Sequence, residues 1–241
     1  MLKVLILVSI TVGAAYGQVY PRWFLFQEEV KCTPNAVTVS QPSTFQRDTA
    51  IANGFLDGCI KIAKYASLSI SGGQAFWQTE GGTFAMGSNY SEVFDTSMAS
   101  RLRSTEKVLN SFADRKKILV LVGGTSCSYD NALSERIYVG KVDKPGWVET
   151  IPDKKGYIYG VGESEEYYYE SSSWNKAEKN AYMAVARSFH VKVKGLEKQT
   201  STEHQDIRTE DMSVHLNGIE IIARWRDLKN KIFYVLARVK I

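Results

Sequence analysis

The sequence predicts an α+β protein built from two similar units, each a helix packed on a mainly antiparallel sheet in the order strand, helix, strand, hairpin. Three observations lead there. Two stretches place apolar residues at the alternating three- and four-residue spacing of a helix face. Several short runs alternate apolar and polar residues, as half-buried strands do. The order of these elements also repeats along the chain.

The 241 residues are 44% hydrophobic and 23% charged, with 18 Gly and 5 Pro, a profile outside the disordered, collagen-like and low-complexity classes. A net charge of +4 is too small to mark a nucleic-acid binder, and none is expected as a partner. At the N-terminus, Lys3 precedes a short apolar run from Val4 to Ala15, and Ala15-Tyr16-Gly17 places small residues at both ends of an A-x-A-like tripeptide. That run suits a secretory signal peptide and is too short to span a bilayer, so residues 1–17 are expected to be removed before Gln18. An uncleaved anchor is the alternative. No Cys adjoins the cleavage point, so lipid attachment is not expected, although peripheral membrane contact is left open. The expected address is the periplasm, the outer-membrane periphery or the exterior.

In the first unit, residues 18–125, Ala36-Val-Thr-Val39 reads as a strand and Asp48 as the cap of a helix carrying Ile51, Phe55, Cys59, Ile62 and Ala66 on one face. A hairpin follows from Lys107-Val-Leu-Asn-Ser-Phe112 and Ile118-Leu-Val-Leu-Val122 around Asp114-Arg115. Residues 126–144 form a connector in which Arg136-Ile-Tyr-Val139 can add a strand. In the second unit, residues 145–241, Tyr157-Ile-Tyr-Gly-Val161 reads as a strand. Trp174, Ala177, Ala181, Ala184 and Ser188 form the face of a helix over 174–189, with Ser173 as its cap. Val191 and Val193, alternating with Lys192 and Lys194, predict the next strand, and Ile219–Trp225 with Lys231–Val239 close a hairpin around Asp227–Asn230. The two units align at an offset of 123 positions over the first helix (Gly58 with Ala181) and of 114 over the hairpin (Glu106 with Glu220, Lys117 with Lys231). Pro21-Arg22-Trp23 likewise matches Pro145-Gly146-Trp147.

The cysteines are Cys32, Cys59 and Cys127: at most one disulfide can form, its pairing is open, and Cys59 lies on an apolar helix face. No C-x-x-C, H-E-x-x-H or G-x-S-x-G occurs, and His190, His204 and His215 are not at the spacing of a helical metal pair. No metal or cofactor is expected. The Gly pairs at 72, 81 and 123 lack the Lys and Ser/Thr of a phosphate loop and read as turns.

Pro145-Gly-Trp147-Val, then Tyr157-Ile-Tyr-Gly-Val-Gly-Glu-Ser164, the helix end Ala184-Val-Ala-Arg187, Trp225 and Tyr234-Val-Leu-Ala237 stand in one order over the second unit. In this the segment from Pro145 to Ile241 resembles the LPP-twenty (twenty-kilodalton outer-membrane lipoprotein) family. The resemblance implies a bacterial envelope protein without known catalytic activity, and it supplies no catalytic residues. The segment Glu163–Trp174 then stands out, with four carboxylates and three consecutive tyrosines between a strand and a helix. Three adjacent rings cannot all face one core, so Tyr167, Tyr168, Tyr169 and Trp174 are the candidate contact residues for another envelope or surface component. The competing functions are a periplasmic hydrolase acting on cell-wall or glycan substrates through such paired carboxylates, and a carbohydrate-binding module.

Overall fold

A computed structural model of the chain describes residues 18–41, 46–79, 82–197 and 209–241; the expected signal peptide and His204 lie outside the described residues. In chain order the elements are β1 (Val19–Pro21), α1 (Arg22–Leu25), β2 (Asn35–Ser40), α2 (Arg47–Ala66), β3 (Leu68–Thr79), β4 (Gly82–Phe94) and α3 (Thr96–Thr105). Then come β5 (Glu106–Ala113), β6 (Ile118–Gly124), β7 (Arg136–Tyr138), β8 (Tyr157–Glu165), α4 (Glu170–Glu197), β9 (Thr209–Leu216), β10 (Ile219–Asp227) and β11 (Ile232–Lys240). The result is the expected α+β mixture, and among the described residues every strand pairing is antiparallel.

Two three-stranded sheets share one order. In β2-β6-β5 and in β8-β11-β10 the strand before the long helix pairs with the last strand, which pairs in turn with the strand before it. The registers agree too. Adding 114 to both members of the pair Ala113↔Ile118 gives Asp227↔Ile232, also a pair. Each hairpin has one bulge, between Val108 and Asn110 in β5 and between Ile221 and Ala223 in β10. The turns are held alike. The Asp114 carboxylate accepts from the amides of Lys116 and Lys117, and that of Asp227 from the amides of Lys229 and Asn230, local bonds for which Asp is favoured in turns.

Each sheet brings its helix unusually close, with the small residues placed on opposite partners. On α2 the small residues are Gly54 and Gly58: a Cβ on Gly54 would sit 2.6 Å from Val120 Cγ2 of β6, and one on Gly58 closer still to Val122. On the other sheet the strand β8 supplies them. A Cβ on Gly160 or Gly162 would run into the backbone of α4 at Val185, Ala177 and Ala181. The Ala face of α4 is therefore matched by glycine across from it.

A third sheet, β4-β3-β9, takes strands from both halves of the chain, with Leu68↔Leu216 in register and both buried. One hydrophobic core is continuous across both halves. The N-terminal segment crosses over to build it: Tyr20 stacks on Phe24, and Phe24 and Phe233 meet Trp174 edge-on at 5.1 and 4.8 Å. Trp23 and Trp147 each follow a proline that opens a short helical turn; Trp23 is fully buried and Trp147 partly so. β7 is the connector strand, paired with β1. Cys32 and Cys127 form the disulfide, with Cα atoms 5.5 Å apart, and Cys59 is free and buried.

Several expectations are corrected. Val191 lies in α4, which continues to Glu197; its backbone hydrogen bonds outweigh the short alternation, and the strand after the helix is β9. Val193 falls in the same helix. Gly72 and Gly73 are interior to β3, each paired on both sides, and Gly123 and Gly124 end β6. Gly82 opens β4, while Gly81 lies outside the described residues. Asp48 sits inside the first turn of α2 after Gln46, which makes no side-chain cap bond. Ser173 lies within α4, where its hydroxyl accepts from the Tyr167 amide. β4 and α3 were not expected; Asp95 caps α3 by accepting from Ser97 and Met98.

Candidate functional site

Helix α4 places Glu170, Trp174, Glu178 and Tyr182 four residues apart, a stripe along one face that turns inward and is buried throughout. Strand β10 meets it with Arg224 and Arg226, two residues apart and so on one side of the sheet. Burying charges demands partners, because water is no longer there to solvate them. Two networks supply them.

The inner one centres on Glu178. Its carboxylate takes Lys61 Nζ at 2.8 Å, Arg224 Nη2 at 3.2 Å and the Tyr182 hydroxyl. Arg224 also donates to Gln27 Oε1 at 2.7 Å and to the Phe24 carbonyl at 3.2 Å. Burial by itself would raise the Glu178 carboxyl; Lys61 and Arg224 outweigh it and hold it below the usual carboxylate value. Burial pulls the Lys61 ammonium down.

The outer network fixes the start of α4. Glu170 accepts from the Tyr20 hydroxyl at 2.7 Å and faces Lys117 Nζ at 3.3 Å and Arg226 Nη1 at 3.4 Å. Lys117, fully buried, also pairs with Asp114 at 2.9 Å and lies 4.2 Å from the centre of the Tyr20 ring. Arg226 reaches back to Glu166. Burial, with Glu170 beside it, pushes the Tyr20 phenol well above its ordinary range.

Glu166 and Glu170 thus bracket the turn that carries the three tyrosines, and the Tyr167 amide is bonded to Ser173 Oγ at 2.8 Å. On that frame Tyr167 is 49%, Tyr168 94% and Tyr169 48% exposed, with the rings of Tyr168 and Tyr169 edge to face at 4.8 Å. Trp174 does not join them. At 1% exposure it belongs to the core, because its place in the helix stripe points it inward against Tyr20, Phe24 and Phe233. Of the four candidate contact residues the structure therefore gathers three on one exposed turn and removes the fourth. The anchors of that turn went unread in the sequence. Arg224 and Arg226 flanking Trp225 in an apolar strand were the available signal, since two cations on a buried face require carboxylates opposite.

Glu170, which a hydrolase reading would take as a catalytic carboxylate, has its oxygens engaged by Tyr20, Trp174 and Arg226 and lies beside Lys117. His215 bonds to Ser69 Oγ at 2.9 Å through Nδ1. Among the described residues no three His, Cys, Asp or Glu side chains are grouped to hold a metal, and no helix is long and apolar enough to cross a membrane.

Comparison with protein families places the second half of the chain. Residues 145–240 match the LPP20 lipoprotein family. The match begins at Pro145, two residues before Trp147, takes in β8, α4, β9, β10 and β11, and ends at Lys240. It covers a segment, and includes the tyrosine turn. No curated protein and no solved structure matches the chain. The likeness to LPP20 lipoproteins points to the cell envelope, with an outer-membrane association.

Proposed function

We propose that this is an exported envelope protein that works by binding another envelope or surface component, without catalysis, through the turn bearing Tyr167, Tyr168 and Tyr169. The single observation that carries the reading is the exposure of three adjacent rings on a backbone held from beneath by buried ion pairs. Large amphipathic rings exposed together are the side chains that interfaces bury most profitably, and a turn fixed in advance loses little freedom on binding. Export rests on the N-terminal apolar run and on the likeness to envelope lipoproteins over 145–240. Two copies of one ancestral unit account for the shared strand order and for the constant offset of 114 between the two hairpins.

A photo-crosslinking residue at position 168, introduced into the chain in intact cells of the native host, tests the reading. A discrete adduct with one envelope component is expected, absent when the same residue stands at exposed Lys229. Replacing Tyr168 by Ala should leave stability within about 0.5 kcal/mol, as at exposed sites, and weaken capture by about 1 kcal/mol, roughly fivefold. Trp174→Ala should instead cost about 3–5 kcal/mol of stability, as for a buried aromatic. Equal labelling at 168 and 229 would refute the proposal.

A further inference from the structure

Away from the tyrosine turn, a second site lies where the two halves of the chain meet. A cavity of about 200 Å³ is walled by Val30, Ile62, Tyr65, Met98, Ile219 and Ile221, contributed by the N-terminal segment, α2, α3 and β10. Pockets at the junction of structural units are where small ligands are most often found. Ile62, Tyr65, Ile219 and Ile221 are buried and form its floor, whereas exposed Glu28, Thr33 and Gly218 flank its mouth. One wall is pinned. Val30 and Thr33 flank Cys32, which the disulfide ties to Cys127 beyond the end of β6.

Size, charge and wall chemistry together select the occupant. An engineered cavity of about 150 Å³ lined by aliphatic and aromatic side chains takes up benzene, so this one is large enough for a ring of benzene to indole size. Among the described residues, the charged groups lining it are Glu28, Glu220 and Arg238. Arg238 is already claimed by Glu220 at 2.9 Å and Glu28 at 3.7 Å, so among the described residues a ligand carboxylate finds no free cation there and meets a net negative mouth. A ligand ammonium would exchange water for a floor of Ile and Tyr, which is costly. The Tyr65 ring and the Met98 thioether favour an aromatic face, through ring–ring and sulfur–ring contacts. We infer that this cavity is a binding site for an uncharged, compact aromatic group. It stands apart from the tyrosine turn, and either can fail without the other.

The test uses the full, disulfide-bonded chain with methyl-labelled Ile and Met, titrated with indole and, as charged probes, benzoate and benzylammonium. Indole should give saturable shifts and intermolecular contacts to the methyl groups of Ile221 and Met98. The two charged probes should bind at least tenfold more weakly. Met98→Trp, which fills the space, should abolish the indole shifts, while Tyr168→Ala should leave them unchanged. Should Met98→Trp fail to fold, the intermolecular contacts to Ile221 in the unaltered chain decide the matter. An absence of saturation, contacts to residues outside the cavity, or equal binding of benzoate or of benzylammonium would overturn the assignment.

Discussion

Replacing Lys117 by Met tests the anchor beneath the tyrosine turn. Lys117 Nζ is fully buried, 2.9 Å from Asp114 and 3.3 Å from Glu170, and 4.2 Å from the centre of the Tyr20 ring. Methionine keeps the length and apolar stem but removes the cation. Breaking a buried pair by deleting one partner costs about 3–5 kcal/mol, because the other charge stays buried. Here Glu170 keeps the Tyr20 hydroxyl and Arg226, so the loss should fall near the lower end, about 3 kcal/mol by that scale. The double variant Lys117→Met with Glu170→Gln should recover part of it, since neutralising both partners leaves less uncompensated charge. Urea unfolding of the wild type, both single variants and the double variant closes the cycle, with a coupling of at least about 1.5 kcal/mol expected for contacting groups. In the single Lys117→Met variant the amides of residues 166–170 should also exchange faster than those of α2. A loss under about 1 kcal/mol, or additive effects of the two changes, would refute the anchor.

Two further outcomes follow from the packing and the charges. Gly162→Ala should destabilise by at least about 3 kcal/mol, the upper range for overpacking, because the new methyl meets only the backbone of α4; Gly54→Ala, which meets the Val120 side chain, should cost less and be rescued by Val120→Ala, both read from denaturant midpoints. Lys61 and Arg224 hold the Glu178 carboxyl below its ordinary carboxylate value in the folded protein, so its contribution is present above that ordinary value and is lost as pH falls through the lower folded one. Stability measured from pH 6 down to about pH 3 should therefore decline, and Glu178→Gln should flatten that slope over the same window.

How much of this was legible in the sequence depends on the range of the force involved. The stripe of α2, the strands β2, β8 and β11, and the Asp-led turns at 114 and 227 are local, and periodicity or turn chemistry reveals them. The offset of 114 is readable at the two hairpin turns because Ala113↔Ile118 and Asp227↔Ile232 hold the same register. Val191-Lys-Val193 misled because two alternations cannot outweigh the helix that reaches them. Gly72-Gly73 misled for a different reason: each residue is held by partners on two flanking strands, one of them β9, about 140 positions away in the chain. Trp174 carried two readings, helix stripe and exposed aromatic, and Tyr20 and Phe24 at the other end of the chain decided between them. Long-range burial is what a single sequence does not display.

The same long-range contacts argue against a self-sufficient second half. The matched segment 145–240 contains β8, α4, β9, β10 and β11, which would make a helix on a sheet. Cut out as residues 145–241, it would lose β3, the partner of β9, along with Tyr20 and Phe24 over Trp174. Glu170 would lose Tyr20 and Lys117, Glu178 would lose Lys61, and Arg224 would lose Gln27 and the Phe24 carbonyl. Each uncompensated buried polar group costs about 1–3 kcal/mol, more where it is charged, against a total stability of about 5–15 kcal/mol for a whole domain. Residues 145–241 expressed alone should therefore show helical signal without a cooperative unfolding transition, bind a hydrophobic dye, and sharpen into a dispersed spectrum only when residues 18–144 are supplied in trans. A cooperative transition and dispersed methyl resonances from the isolated segment would show that its own helix–sheet contact suffices, and that the ion pairs to the first half are dispensable.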